Sequence, residues 1–386
     1  MEILREKASS SRPFKSPLLV LNVFNMHKQW EEHTLYMPRR QTVTLRHVAE
    51  AANVSIAAAS RALSGNGYVN EETRQRVLEQ ARLLRYRIRG AARSLRSGKS
   101  GLIGLIIPNN ENVFFTGIAQ RLEDIFYEHG YCLLKGSSRG EREREAEYVA
   151  RMVSHGIEGM IYIVASNRAM IPLTDISQLS IPIIVMDDRS MKSSNLDTVT
   201  CDNSYGVQKA IDYLSVLGHR EIGFVKGSTT TTARDRSTAF IEGMRRLGLP
   251  TREEYIFPGD YTVSSGRKAA ETLLNMDPLN RPTGILASND MMAIGLLDTL
   301  KNQGVRIPED ISIIGYDDIP FCELISPRLT TVRQPIDEMA KEAVNLLFRR
   351  INMKQPNGEY PLIEPINREV RPILVERDSC TYPSRV

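Results

Sequence analysis

The chain has 386 residues and an ordinary globular composition, long enough for two or three domains and a sizeable core. Its formal charge of +4 is unevenly spread: residues 38–100 carry 13 lysines and arginines against 4 aspartates and glutamates, whereas residues 101–386 carry 32 against 38. No stretch approaches transmembrane length, and Cys132, Cys201, Cys322 and Cys380 lie far apart, without CxxC or histidine at ligand spacing, which argues against a zinc site or disulfide framework and for free thiols in a reducing cytosol.

A basic block ahead of a mildly acidic body points to an anionic partner touched by one end only, with nucleic acid the first candidate and a membrane surface the second. At the N-terminus, "PLLVLNVF" is a short apolar run after a basic residue, but no small-residue cleavage site follows. Residues 1–36 are polar, patternless and followed by Met37, so residues 1–41 are expected to form a disordered extension, with Met37 an alternative start.

The next elements are three predicted helices within residues 42–87. Leu45, Val48, Ala49 and Ala52 share one helical face, and Asn53 is a residue that takes the left-handed conformation ending a helix. Ser55 is a predicted cap for a second helix from Ile56 through Leu63, and so tight a turn between short helices is the helix-turn-helix arrangement. After "SGNGYVN", Asn70 caps a third helix with Glu71 and Glu72 in its first turn and Val77, Ala81 and Leu84 facing inward. Small residues at Ala49, Ala52, Ala58 and Ala59 allow close packing.

Residues 88–100 read as a basic linker: "YRIRGAARSLRSGKSG" places Arg87, Arg89, Arg93, Arg96 and Lys99 around an apolar Leu95. Such a stretch suits minor-groove insertion, in which an apolar wedge partly unstacks a base step, although a solvated basic linker has the same composition.

From residue 101 to 380 short β-rich runs alternate with helices. "GLIGLIIPN", "GYCLLKG", "GMIYIVA", "PIIVMDD" and "TVTCDN" are predicted strands, with "FFTGIAQRLEDIFYEHG" and "EREAEYVARMVSHG" as intervening helices; "EIGFVKG", "TGILASND" and "DISIIGYDD" repeat the pattern. Two rounds of βα repetition imply two parallel-sheet lobes with ligand groups at the carboxyl ends of the strands. Those ends carry Asn112, Phe114, Phe115, Asp188, Arg189, Arg234, Tyr261, Asn289 and Asp290. Aromatic faces with carboxylates and arginines suit a polyhydroxylated ring. Taken alone, the phenylalanines equally suit a core and Asp290 a helix cap; Arg234 with Asp290 is the stronger expectation, because a buried arginine and carboxylate in one cleft need partners. Residues 381–386 are a short tail.

Together, "TLRHVAEAANVSIAAASRALSGNGYVNEETRQRVLEQARLLRYR", "ARSLRSGKSGLIGLIIP" and "PRLTTVRQP" resemble the LacI/GalR family of bacterial repressors over roughly residues 43–380. The resemblance implies an all-α helix-turn-helix headpiece and an α/β core of two periplasmic-binding-protein-like, Rossmann-like lobes. It implies that Ile56, Ala57 and Arg61 face base edges in the major groove, where Arg61 suits guanine and the apolar pair suits a thymine methyl. Ala58 stands where the family commonly has a phosphate-contacting threonine, which leaves Ser55 and Ser60 for that role. In the linker, the resemblance implies a hinge helix with Arg93, Leu95 and Arg96 on DNA; the usual "PN" is replaced by Ile88 and Arg89. Positions matching Phe115, Arg234, Tyr261 and Asp290 are expected to line an effector pocket, although "NVFF" lacks the usual proline of "NPFF".

The expected function is therefore a sequence-specific transcriptional regulator, a cytoplasmic, nucleoid-associated homodimer on double-stranded operator DNA, with no cofactor, metal or membrane partner. A small effector, a sugar or sugar derivative, is expected between the lobes, though purine and nucleoside sensors share this frame. Relief of repression by ligand is the expected sense, with a corepressor arrangement equally allowed. A stand-alone periplasmic-type sugar-binding protein is the alternative, weakened by the basic headpiece. Catalysis finds no support: neither "ASRAL" nor "CDN" has a histidine placed by a motif, and His129, His155 and His219 fall late in helices, where surface capping is expected.

Overall fold

The structure is a computed structural model and describes residues 43–65, 67–86, 99–163, 179–188, 196–361 and 363–384. The expected N-terminal extension, the hinge residues Arg93, Leu95 and Arg96, and Arg189 lie outside the described residues. The chain divides into two compact units, Met1–Arg93 and Ser94–Val386.

In the first unit α1 (Leu45–Ala51), α2 (Ile56–Ser64) and α3 (Glu71–Leu83) form a small bundle. Asn53 takes the left-handed conformation (φ 52°) that separates α1 from α2. Ser55 Oγ accepts from the Ala58 amide at 3.1 Å and Asn70 Oδ1 from the Thr73 amide at 2.8 Å, so both helix starts are capped by the expected side chains. The buried centre consists of Val48, Ala49, Ala52, Ala59, Ala62, Val77 and Ala81. Alanines at the crossings bring the helix backbones close but bury little apolar area, so caps and close packing carry a large share of this unit's stability.

The second unit has two lobes, each built on a six-stranded sheet. The first sheet comprises β1 (Leu102–Ile107), β2 (Cys132–Ser137), β3 (Gly159–Ile163), β4 (Ile183–Met186) and β5 (Asp197–Cys201), with α4 (Val113–Glu128) and α5 (Arg142–Ser154) between strands. The second comprises β6 (Ile222–Val225), β7 (Ile256–Phe257), β8 (Gly284–Ala287), β9 (Ser312–Asp317) and β10 (Thr330–Arg333). It is flanked by α6 (Asn203–Val216), α7 (Thr231–Arg246), α8 (Val263–Leu274) and α9 (Asp290–Asn302). The chain then returns: α10 (Ile336–Ile351) packs on the first lobe, β11 (Asn367–Val370) extends the first sheet beside β5, and β12 (Ile373–Val375) pairs antiparallel with β10 in the second. The strand orders are β11-β5-β4-β3-β1-β2 and β12-β10-β9-β8-β6-β7, parallel throughout except for β12.

The central strands are buried on both faces, which is why their sequences read as continuous apolar runs rather than alternating ones. In the first lobe, Ile118, Leu122 and Phe126 of α4 meet Met339, Ala343 and Leu347 of α10 over the sheet. In the second, Leu273 of α8 and Leu296 of α9 cover one face, and Ile211 of α6 and Phe240 of α7 the other.

Three crossings therefore join the lobes, at Asp202, at Gln334–Pro335 and at Arg371–Pro372. The Asp202 amide donates to the Val370 carbonyl at 2.8 Å, tying the first crossing to the third. Arg350 on α10 is anchored bidentately on the buried Asp197 of β5, at 2.5 Å for each bond, and Asp197 also accepts the Ile366 amide at 2.7 Å.

His219 departs from the expectation of a surface cap. It is buried, with Nδ1 at 2.9 Å from Thr283 Oγ1 and Nε2 at 3.0 Å from Ser312 Oγ and 2.9 Å from the Thr381 carbonyl, so it pins the C-terminal segment to the second sheet. Among the described residues no helix is long and apolar enough to cross a membrane.

Candidate DNA interface and ligand cavity

On α2, Ile56 and Ser60 stand one turn apart, as do Ala57 and Arg61, so these four side chains share one side of the helix. Ile56, Ala57 and Arg61 are exposed and Ser60 is half-buried, while the opposite stripe of Ala59 and Ala62 is buried in the bundle. An isoleucine left 44% exposed beside an alanine and an arginine is an apolar surface with one cationic fork. That matches a thymine methyl next to a guanine edge. Ser55 sits at the helix start, where backbone N–H groups favour an anion, although its oxygen already accepts from Ala58.

Between the two lobes of the second unit lies a cavity of about 480 Å³, within the size range of small-molecule sites. The first lobe contributes Asn109, Asn112, Phe114, Phe115, Arg139, Asp187 and Asp188; the second contributes Ser228, Thr230, Thr231, Thr232, Arg236, Tyr261 and Asp317; Gln334 enters from a crossing. Phe114 and Phe115 meet edge to face, 5.4 Å apart, and offer the apolar wall. Tyr261 lies over Gly227, where any Cβ would come within 2.3 Å of the ring. Asp187, Tyr261 and Asp317 all have positive φ (63°, 70° and 115°). Such backbone is costly for residues with a side chain, and here it falls at the strand ends and the loop after β7 that meet the cavity.

Asn112, Phe115, Asp188 and Tyr261 thus line the cavity, whereas Arg234, Asn289 and Asp290 do not. Arg234 is exposed on α7, and the arginine at the cavity is Arg236, two residues on. Asn289 is spent on structure: Oδ1 caps α9 by accepting from Met292 at 3.0 Å, and Nδ2 donates to the Tyr261 carbonyl at 3.0 Å, which positions the loop bearing Tyr261. Asp290 is buried behind the site, accepting from Thr331 Oγ1 at 2.5 Å and from the Ile319 amide at 2.9 Å.

Arg236, Asp187, Asp317 and Gln334 are among the polar groups of the cavity that sequence reasoning missed. Arg236 is fully enclosed: Nε donates to Asn203 Oδ1 at 2.9 Å, NH1 to the Ser288 carbonyl at 2.5 Å, and its plane lies 3.7 Å from the Tyr316 ring centroid. NH1 faces Asp317 Oδ1 at 3.6 Å, and Gln334 Nε2 donates to the same oxygen at 2.7 Å. Burial pushes the Asp187 carboxyl up to about 7, against the pull of Arg236 and with repulsion from Asp317 and Asp188 adding to it. Burial raises Asp317 as well, again opposed by Arg236. One guanidinium thus compensates carboxylates from both lobes.

Comparison with known proteins agrees with both units. Residues 44–87 match the family model of bacterial regulatory proteins, lacI family, and residues 211–380 a periplasmic-binding-protein-like domain. The HTH-type transcriptional repressor PurR of Klebsiella pneumoniae is 32% identical over 341 residues, covering 87% of this chain and 96% of that protein. Catabolite control protein A of Priestia megaterium is 32% identical over 315 residues, covering 80% and 93%. Among solved structures, the lac repressor dimer bound to operator and the anti-inducer ONPF shares the fold with a TM-score of 0.77 at 22% identity, covering 88% of this chain and 100% of that one. A LacI family regulator from Enterococcus faecium with bound ribose has a TM-score of 0.62 at 27% identity, covering 73% and 99%. The chain belongs to the lacI family of bacterial regulatory proteins, DNA-binding transcriptional regulators with a helix-turn-helix headpiece and a ligand-binding core.

Proposed function

We propose that this chain is a repressor that reads a roughly palindromic operator as a homodimer and is released from it by a sugar or sugar derivative bound between its lobes. The observation that carries the ligand reading is the cavity itself: an aromatic wall of Phe114, Phe115 and Tyr261 beside a dense set of carboxylate, amide and hydroxyl groups. Aromatic faces stack on the C–H side of a sugar ring, while carboxylates and amides bond its hydroxyls. The regulator from Enterococcus faecium was solved with ribose, which supports the same ligand class.

On the DNA side, Arg61 is the base reader, Ile56 and Ala57 contact thymine methyls, and Ser55 and Ser60 meet phosphate. Arg93, Leu95 and Arg96 are proposed for the minor groove. In the core, Asn112, Phe115, Asp188 and Tyr261 bind effector together with Arg236, Asp187, Asp317 and Gln334. A ligand that touches both lobes favours one angle between them, and the coupling to operator affinity is of the order of 1–3 kcal/mol.

The test is selection of operator DNA from a random pool with the purified full chain, followed by titration of the complex with sugars, sugar phosphates and nucleosides. A palindromic site released by a sugar is the expected result. Arg61→Ala is expected to weaken operator binding roughly 10–100-fold by loss of one bidentate contact. Salt-sensitive binding without sequence preference, or release by a nucleoside alone, would overturn the corresponding half of the reading.

A further inference from the structure

The polar lining of the cavity is unbalanced in charge and in hydrogen-bonding sense. Among the described residues five acidic ones line it, Glu111, Asp187, Asp188, Asp260 and Asp317, against two arginines, Arg139 and Arg236. Arg236 is largely committed to its own lobe and crossing through Asn203 and the Ser288 carbonyl, and it approaches Asp317 only at 3.6 Å. The Gln334 amide is oriented by its bond to Asp317: Nε2 donates there at 2.7 Å, so Oε1 is the atom left over. Gln334 is 2% exposed, and among the described residues neither its Oε1 nor Asp187 Oδ1 has a hydrogen-bond partner. Both leftover atoms are acceptors, they belong to residues lining the same cavity, and one of them belongs to a carboxyl group.

A buried acceptor without a donor is costly, so an occupant of this space that supplies donors is favoured over one that supplies none. A phosphate or carboxylate supplies none and adds charge of the wrong sign. A hydroxyl supplies one proton. An ammonium supplies three and cancels part of the acidic excess.

Resting on the carbohydrate reading above, we infer that the effector is a polyol carrying an ammonium group, in its simplest form an amino sugar, whose nitrogen bonds Asp187, Asp317 and the Gln334 carbonyl oxygen. Asp187 directly follows β4 of the first lobe and Asp317 ends β9 of the second, so a cation held by both replaces a repulsion across the cleft with a bridge. The ammonium is then the part of the ligand that senses the angle between lobes, while the ring and its hydroxyls occupy the aromatic wall.

The experiment is calorimetric titration of the full chain at pH 7.5 with matched sugars: glucose, galactose and mannose, their 2-amino forms, the N-acetylated amino forms, and the 6-phosphates. One amino sugar is expected to bind at least about ten-fold more tightly than its hydroxyl and N-acetyl counterparts, as loss of charged hydrogen bonds implies. In Asp187→Asn, with folding checked by circular dichroism, that preference is expected to fall to about parity. A neutral sugar that binds as tightly as its amino form, or a 6-phosphate that binds more tightly, overturns the inference and leaves the sugar sensor standing. A preference unchanged in Asp187→Asn also overturns it. If no member of the panel binds, the carbohydrate reading itself fails and this inference with it.

Discussion

Replacing Arg236 by methionine removes a guanidinium shared by carboxylates of both lobes while keeping most of the side-chain volume. The structure specifies the loss: two hydrogen bonds from a buried charged donor, to Asn203 at 2.9 Å and to Ser288 at 2.5 Å, and the cation from the face of Tyr316. Removing one member of a buried ionic set costs about 3–5 kcal/mol, because the remaining charges lose their compensation. The cost should depend on pH, and the sign follows from the direction of the shifts. Asp187 and Asp317 both sit above the ordinary carboxyl value of 3.8, so their ionisation opposes folding; the penalty is absent below that value and grows as pH rises through the folded values, near 7 for Asp187. Arg236 lowers both carboxyls. Each unit by which its loss lifts either one adds about 1.4 kcal/mol to the deficit above both values. The assay is urea unfolding of wild type and variant at pH 5.5 and pH 8.0, followed by far-ultraviolet circular dichroism. The variant should fall further below wild type at pH 8.0 than at pH 5.5. An equal or larger deficit at pH 5.5 would refute the view that Arg236 acts by compensating these carboxylates.

Gly315→Ala places a Cβ 2.1 Å from Asp290 Oδ1 and 2.8 Å from Leu329 Cδ2, so overpacking is expected to cost about 1–3 kcal/mol, read as a lowered urea midpoint. Asp197→Asn leaves the guanidinium of Arg350 buried without its carboxylate and is expected to cost about 3–5 kcal/mol, with faster proteolysis around α10 and β11. Asn70→Ala removes the cap of α3 and is expected to cost the headpiece about 1 kcal/mol, visible as lost amide protection in the first turn while the core is unchanged.

The helices and central strands were legible because burial leaves a period: the apolar runs of β1, β3 and β9, and the stripe of α4. Caps at Ser55 and Asn70 were legible because a short polar side chain just ahead of an apolar helical run is itself a local signal. The cavity arginine was within reach as well. On α7, Ala233, Arg236, Ala239, Phe240, Gly243 and Met244 fall at helical spacing and are buried together, whereas Arg234, two residues earlier, points about 200° away around the axis. The motif "TTARDR" offered two arginines, and helix phase decided between them. Asn289 and Asp290 were read as ligand groups because they end a strand, yet both are used to hold neighbouring loops. Asp317 ends β9 in "GYDD" as Asp187 follows β4 in "VMDD", so the two runs are the same signal at the ends of corresponding strands. Gln334 had no local signal: it reaches the cavity only because the chain crosses between lobes there. Strands β11 and β12 are short and half-exposed, and their pairing depends on partners more than a hundred residues earlier for β11 and about forty for β12.

The return of the chain also sets the order in which the molecule can be completed during synthesis. When residue 335 is made, the first lobe still lacks α10, which supplies Met339, Ala340, Ala343, Val344, Leu346, Leu347 and Ile351 to its main apolar cluster, and it lacks the strand that covers the edge of β5. Domains ordinarily fold from the N-terminal end as they emerge. Here the lobe made first waits for residues made near the end, with the α4 face of its sheet open and an unpaired strand edge meanwhile. From the completion of β5 until α10 and β11 are made, the nascent chain therefore exposes apolar surface of the kind chaperones bind, and a fragment ending near residue 335 would contain five of the six strands of the first sheet without being able to close it.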